Sequence, residues 1–202
     1  MAISLPSSPS YRAGRWRLAS NATRFTSALT RTGQSVQRVG DFWACTMELP
    51  PIVDPIKAQE WAATLALMAG QRSAAYVSPP WKRSIGSVGT PRVNGVGLVG
   101  TALAIDGASA GLSLKKGDFL HYDTSTYRML HMLTADVVLN GAGAGNLPIL
   151  PAIRKSPADN ALVTFSAPSC EMVLESPDVD VLSLSDSMVY GVSISFIEDV
   201  RE

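Results

Sequence analysis

The sequence predicts a mainly β protein, in which a discontinuous β-sandwich or barrel domain carries one packed α-helix and a small inserted β-barrel domain. Short stretches with alternating apolar and polar residues run through the chain, and Gly, Pro and Asn-Gly turn signals separate them. Only one stretch has helical periodicity. At 202 residues, the chain is long enough for one large domain or two small ones.

The clearest strand lies in the first third of the chain, at residues 43–49. Its apolar side chains Trp43, Cys45, Met47 and Leu49 fall on one face, which is the period of a half-buried strand. Pro50 follows and ends the strand, because proline cannot donate a hydrogen bond to a neighbouring strand. Weaker strand patterns occur at residues 16–18, 25–30, 35–39 and 74–77.

One helix is predicted, at residues 54–69. Asp54 suits the N-cap and Pro55 suits the first helical position. Gly70 supplies the left-handed residue that ends a helix. The apolar stripe, which we expect to pack on a sheet, consists of Trp61, Leu65 and Met68.

The second half of the chain begins with a change in composition. Residues 84–111 are rich in Gly and Ser and nearly free of charge, which predicts either a linker or an irregular strand pair with many turns. Turns are predicted at Lys116-Gly117-Asp118 and at Asn140-Gly141, the second extended by GAGAG into a flexible tip. The strand patterns of this half are residues 112–114, 119–122, 127–133, 136–139, 147–150, 161–165, 172–174 and 190–196.

The two longest alternating strands, residues 43–49 and 190–196, lie near opposite ends of the chain. Pairing between such ends is common in sandwiches and barrels, so we expect residues 1–83 and 171–202 to form one β domain. Residues 84–170 would form a smaller, glycine-rich β domain inserted into it.

Charge and cysteine content exclude several classes of function. Lys plus Arg and Asp plus Glu both number 17, so a neutral chain has no long-range field to gather nucleic acid or anionic membrane. The charged fraction is low, which fits a surface covered by other subunits and equally a monomer with a polar surface. Cys45 and Cys170 make neither a disulfide framework nor a zinc motif. The first residues lack a signal-peptide pattern and no apolar run could span a bilayer, so we expect synthesis in a cytoplasm.

Two sequence motifs suggest catalysis or cofactor binding but lack the required context. Gly95, Gly97 and Gly100 match the dinucleotide fingerprint G-x-G-x-x-G, yet Asp106-Gly107 leaves no room for the helix that must follow it. Ser113-Leu114-Lys115-Lys116 matches the S-x-x-K of serine acyl-transferases, whose partner motifs are absent from the chain.

The two histidines allow two interpretations. His121 and His131 would hold a metal with Asp118 or Asp123 if the strands brought them together, and otherwise they are packed or edge side chains. The second interpretation is the commoner one. We therefore expect no catalytic, cofactor-binding or metal site and a protein that is not an enzyme, although a catalytic triad is recognised only by geometry.

Several motifs occur in an order that points to one family. A Trp43-x-Cys45 strand runs into Leu49-Pro50-Pro51, and a helix with a central Trp61 follows. Next come the glycine-rich stretch, an L-x-x-G-D turn, a strand ending near Asp136 and a P-x-x-R segment at residues 151–154. The chain closes with Tyr190-Gly191 and a strand ending in Glu198. This order resembles the tail-tip proteins of long-tailed phages, and among them the distal tail proteins.

The resemblance implies a structural virion protein at the tail tip. Such proteins form a ring, usually a hexamer, that joins the tail tube to the tail-tip hub and lines the DNA channel. The first domain would be tube-like and the inserted one would lie outside it. The expected partners are further copies, the tail tube protein and the hub protein, with the tape measure protein as a further candidate. DNA would pass without specific binding, and no membrane is involved.

The alternative function is a carbohydrate- or receptor-binding β module of the tail tip. It would need exposed aromatic side chains, for which Trp81, Tyr122 and Tyr127 are the candidates.

The N-terminal arm, residues 1–14, bears on the ring hypothesis. It contains Pro6 and Pro9 and too little apolar content to fold alone, so we expect it to lie across an adjacent subunit.

Overall fold

The computed structural model describes residues 2–36, 38–81, 83–180, 184–185, 188–189 and 193–199. The protein is mainly β, of the sandwich or barrel class that the sequence predicts. The strands are β1 (Ile3–Ser4), β2 (Ala13–Ala19), β3 (Thr23–Thr26), β4 (Gly33–Val36), β5 (Phe42–Glu48), β6 (Ala75–Val77), β7 (Gly89–Val93), β8 (Gly100–Ala108), β9 (Ser113–Leu114), β10 (Phe119–Asp123), β11 (Arg128–Leu133), β12 (Val137–Val138), β13 (Gly145–Ile153), β14 (Val163–Thr164), β15 (Cys170–Leu174), β16 (Leu184–Ser185), β17 (Met188–Val189) and β18 (Ser193–Glu198). The helix is α1 (Pro55–Met68), followed by a 3₁₀ turn at Ala69–Gln71. None of the described helical residues forms a helix that could cross a bilayer.

The first sheet brings the two ends of the chain together. Its strand order is β1-β6-β15-β18-β5-β2, with β1 parallel to β6 and the other pairs antiparallel. The last strand pairs with β5, so that Phe196 lies opposite Cys45. On β18 the side chains of Ile194 and Phe196 are buried on one face, as predicted. The predicted strand positions 190–192 lie outside the described residues.

The predicted buried face of β5 and the predicted helix are both confirmed, although Ala44 on the other face of β5 is buried too. Trp43, Cys45, Met47 and Leu49 are all buried. In α1 the Asp54 carboxylate accepts a hydrogen bond from the backbone N–H of Ile56, and Gly70 has the left-handed φ of 67° expected after a helix. The stripe of Trp61, Leu65 and Met68 is buried in the same apolar core as the β5 side chains.

The second sheet has the order β14-β10-β11-β13-β8-β7 and nearly closes into a barrel. Arg92 on β7 bridges to Leu162, and the N–H of Val93 donates to the carbonyl of Ala161 at 2.9 Å, so β7 approaches the segment before β14. Within the glycine-rich residues 84–111, β7 and β8 pair with a register shift, so the irregular strand pair is the correct one of the two alternatives.

The GAGAG segment, which the sequence predicts as a flexible tip, is hydrogen-bonded to β8. The carbonyl of Gly143 accepts a hydrogen bond from the N–H of Ala108, and β13 begins at Gly145. Gly143 has φ 69°, and a Cβ there would lie 1.8 Å from the carbonyl oxygen of Ala108. Only glycine therefore fits at this position, where the tip packs against β8.

The two sheets pack against each other through β10 and β11. Leu130 belongs to the core of the first sheet, with Phe119 and Met132 packed against that core, whereas Met129 and Leu133 lie in the core of the second. Alternate side chains of β11 therefore face different cores. The indole N–H of Trp43 donates to the carbonyl of Leu130 at 2.9 Å across this interface.

Part of the N-terminal arm packs on its own chain, and its expected contact with an adjacent subunit stays a prediction. Ile3 and Ser4 pair in parallel with Ala75 and Tyr76. Ile3, Leu5 and Tyr11 pack against the core of the first sheet. Apolar side chains spaced along the arm are enough to attach it to an existing core, although they could not form one.

Candidate functional site

The glycine fingerprint lies in a loop between two strands. Gly95 and Gly97 fall between β7 and β8, and Gly100 begins β8. The N–H of Gly95 donates to the Asp159 carboxylate at 2.8 Å, and β8 rather than a helix follows the motif. No helix N-terminus is present here to hold a phosphate, in agreement with the sequence argument.

The S-x-x-K motif also forms a turn. Ser113 and Leu114 form β9, which is followed by a turn closed by a hydrogen bond from the N–H of Asp118 to the carbonyl of Lys115 at 2.9 Å. Ser113 and Lys116 are both exposed. The motif therefore forms a short strand and a surface turn, and not the start of a helix.

The two histidines point to opposite sides of the second sheet. His121 pairs with Leu130 and His131 with Leu120, and cross-strand partners share a face. His131 is fully buried, with Nδ1 2.8 Å from the carbonyl oxygen of Pro151 and Nε2 3.2 Å from the hydroxyl of Tyr122. Both ring nitrogens of His131 are therefore occupied by protein groups.

His121 is buried on the other side, where its Nδ1 accepts a hydrogen bond from the N–H of Ser169 at 3.1 Å. Burial lowers the pKa of His121 and that of His131 to about 4, so both rings are neutral near pH 7. Among the residues that the structure describes, no group of three or more His, Cys, Asp or Glu side chains is placed to hold a metal ion. The shared metal site considered from the sequence does not form.

A buried ion pair joins the two sheets. Arg154, directly after β13, contacts Glu198 on β18 with 2.5 Å between Nη2 and Oε1. The same guanidinium donates from Nη1 to the carbonyl of Asp41 at 2.7 Å, and the other oxygen of Glu198 accepts the N–H of Trp43 at 2.9 Å. Burial raises the pKa of Glu198, although the neighbouring guanidinium opposes that shift.

Arg128 makes a second set of contacts between the sheets. Its guanidinium pairs with Asp123, donates to the hydroxyl of Ser169 at 2.8 Å and lies 4.3 Å from the ring centre of Tyr76. Its backbone N–H donates to Glu171 on β15 at 3.2 Å. Charged hydrogen bonds thus hold the two sheets in one relative position.

The hairpin of β3 and β4, residues 23–36, is the most exposed pair of strands whose side chains are described. None of its strand side chains is buried. Thr23 pairs with Val36 and Phe25 with Gln34, so Phe25 and Val36 share one uncovered face. Phe25 is 58% exposed, and Leu29 at the tip is 96% exposed. The predicted bounds 25–30 and 35–39 are wrong, because both strands begin two residues earlier, β3 at Thr23 and β4 at Gly33, and end earlier, at Thr26 and Val36.

Charge is divided unevenly along the chain. Residues 1–40 contain six arginines and no Lys, Asp or Glu, so the remaining 162 residues have eleven basic and seventeen acidic side chains. The six arginines are Arg12, Arg15, Arg17, Arg24, Arg31 and Arg38. The neutral total hides this asymmetry, which a charge count in windows along the sequence would have found.

The aromatic residues proposed for carbohydrate binding do not form one surface. Tyr122 is fully buried and Tyr127 is 5% exposed, whereas Trp81 is 70% exposed. Tyr122 and Tyr127 belong to the core of the second sheet, so neither can stack against a ligand. Trp81 is the one candidate of the three that remains.

Neither protein-family models nor curated proteins give a match to this chain.

Proposed function

We propose that this chain is a structural subunit of a phage tail tip that assembles with copies of itself into a closed ring and has no catalytic function. The proposal combines the resemblance to distal tail proteins with surface properties of the folded chain. In that ring the first sheet would belong to the wall of the DNA channel. The tail tube and the tail-tip hub would be the neighbouring components.

The uncovered hairpin is the observation that carries this proposal. An isolated two-stranded hairpin is marginally stable in water and needs packing on one face. Phe25 and Val36 leave such a face open, and Leu29 extends it to the tip. A neighbouring subunit that covers this face would bury apolar area and hold the hairpin in place.

Strand β2 offers a second contact beside the hairpin. It lies at one edge of the first sheet, with β5 on its inner side. An open strand edge can pair with a strand of another chain. The second sheet offers less edge of this kind because β7 is joined to the segment before β14.

The charge asymmetry supports contact between identical copies. Each copy has a basic first segment and an acidic remainder, so the hairpin side of one copy is attracted to the acidic surface of the next. Such a head-to-tail contact uses different surfaces on the two partners. Repetition of the contact gives a ring when the rotation closes.

The mass of the purified full chain, measured by native mass spectrometry over a range of concentrations, tests the proposal. We expect a closed oligomer, with six copies as the number that the resemblance implies. Phe25→Asp should give monomers that remain folded, because Phe25 packs against neither core. Val138→Asp, at an exposed valine on β12, is the matched control and should leave the oligomer intact.

Two results would contradict the proposal. One is a wild-type chain that stays monomeric at every concentration and also occurs in the virion as a peripheral copy without self-contact. The other is an oligomer that forms equally well with Phe25→Asp, because the uncovered face would then have no part in assembly.

A further inference from the structure

A shallow depression of about 520 Å³ surrounds the exposed Trp81. Its lining includes Arg83 and the Lys115–Asp118 turn that follows β9. Trp81 is 70% exposed, which is unusual for a side chain with so much apolar area. An indole ring at the surface beside several cations is suited to a ligand with both an apolar face and a negative charge.

Two carboxylates fix the backbone of this turn before any ligand arrives. Asp118, whose side chain is 5% exposed, accepts the N–H of Lys115 at 2.8 Å and binds the Arg83 guanidinium through both oxygens. Asp136 accepts the N–H of Lys116 at 2.8 Å and pairs with the ammonium of Lys115 at 2.9 Å. The depression therefore has a defined shape, because Asp118 joins the turn to Arg83 and Asp136 holds the turn at two points.

The same contacts set the charge of the depression. Asp118 compensates Arg83 and Asp136 compensates Lys115. Lys116 is exposed, and its ammonium forms none of the ion pairs found among the described residues. Among the described residues that line the depression, Lys116 is thus the cation without a compensating carboxylate, and it shares the depression with the exposed indole.

We propose that this depression binds one residue of an anionic polysaccharide, with the sugar ring stacked on Trp81 and its carboxylate paired with Lys116. A pyranose ring presents a face of C–H groups, which the electron-rich face of an indole attracts. The ammonium of Lys116, which no described carboxylate pairs with, suits a sugar that has a carboxylate. A nucleic acid strand normally requires a longer basic groove with several stacking platforms. This binding goes beyond the proposed ring, which needs neither residue.

The test uses the full-length protein and oligogalacturonate as a uronic acid probe, with binding followed by isothermal titration calorimetry. The comparison probes are neutral maltohexaose, polyglycerol phosphate and oligothymidylate. The wild type should bind oligogalacturonate more tightly than the other three. Polyglycerol phosphate has the charge without a sugar ring, so any binding of it should depend on Lys116 and not on Trp81.

Trp81→Ala should weaken oligogalacturonate binding about tenfold, because the stacking surface is removed. Lys116→Glu should weaken it at least as much, and Lys116→Arg should keep most of it. Leu67→Ala and Lys57→Glu are controls at an exposed apolar side chain and a lysine outside the depression, and they should bind like the wild type. Thermal unfolding of each variant shows whether a loss of binding reflects a loss of folding.

The proposal is overturned if the wild type does not bind oligogalacturonate, or binds maltohexaose equally well. It is also overturned if Trp81→Ala leaves oligogalacturonate binding unchanged while the protein remains folded. Tighter binding of oligothymidylate, lost with the same two substitutions, would assign the depression to single-stranded nucleic acid instead. The oligomeric state of each protein should be measured in parallel. A failure of sugar binding can then be distinguished from a failure of ring assembly.

Discussion

Arg154 and Glu198 form an ion pair that is almost completely removed from solvent, with 8% and 0% of their side chains exposed. Arg154 directly follows β13 of the second sheet, and Glu198 lies on β18 of the first sheet. Glu198 also accepts the backbone N–H of Trp43, and Arg154 donates to the carbonyl of Asp41. The pair therefore ties three separate parts of the chain together.

Glu198→Gln should destabilise the protein by about 3–5 kcal/mol, because it leaves a buried guanidinium without its counter-charge. Chemical denaturation, followed by tryptophan fluorescence, measures the free energy of unfolding. Glu175→Gln is the matched control, since Glu175 pairs with Arg17 on the surface, and it should cost less than about 1 kcal/mol. Equal effects of the two substitutions would show that the buried pair contributes no more than an exposed one.

Trp61→Ala should destabilise the protein by about 3–5 kcal/mol, because it removes a large side chain from the core between α1 and the first sheet. Leu67→Ala lies on the same helix with the side chain exposed, and it should change the free energy of unfolding by less than about 0.5 kcal/mol. The same denaturation measurement applies to both. A loss below about 1 kcal/mol for Trp61→Ala would contradict the packing described for this residue.

Stability should fall as the pH is lowered from about 6.5 towards 4, because His121 and His131 have folded-state pKa values of about 4 and an ordinary unfolded value near 6.5. In this window the unfolded chain binds more protons than the folded one. Each histidine therefore lowers the free energy of unfolding by up to about 1.4 kcal/mol for every unit by which the pH falls. Burial raises the pKa of Glu198, which contributes with the opposite sign.

Histidine variants separate these contributions. The free energy of unfolding of wild type, His121→Gln and His131→Gln should be measured at several pH values between about 5 and 7. Each substitution should make the dependence on pH less steep, whatever its effect on stability at pH 7. An unchanged slope in both variants would show that neither histidine is the group that titrates on unfolding.

Charge reversal on the hairpin tests the electrostatic part of the proposed ring. Arg31→Glu should weaken self-association, because it places an acidic group where the basic segment would meet the acidic surface of a neighbour. Raising the salt concentration from about 50 mM to about 500 mM should weaken association of the wild type for the same reason. Lys57→Glu changes the charge equally on α1 and should have a smaller effect. Sedimentation velocity measures self-association of the wild type at both salt concentrations and of the two variants. If neither salt nor Arg31→Glu changes self-association, these charges have no role in it.

Local signals in the sequence determined the helix and the faces of the main strands. Asp54, Pro55 and Gly70 act through hydrogen bonds and backbone angles within a few residues, so the bounds of α1 could be predicted closely. The alternation in β5 depends only on the period of an extended chain, and its buried face followed directly. Turn signals at Lys116-Gly117-Asp118 likewise act over a few residues.

Contacts between residues distant in sequence were decided only by the tertiary structure. Arg154 and Glu198 are 44 positions apart, and nothing in their neighbouring sequence indicates which partner each will find. The register of β10 and β11 sends the two histidines to opposite faces, and a shift of one residue would place both on the same face. Packing against two cores also decided that Tyr122 and Tyr127 are buried while Trp81 is exposed. The neighbouring sequence of an aromatic residue does not show whether its side chain is buried or exposed. That depends on how much of the side chain other segments cover.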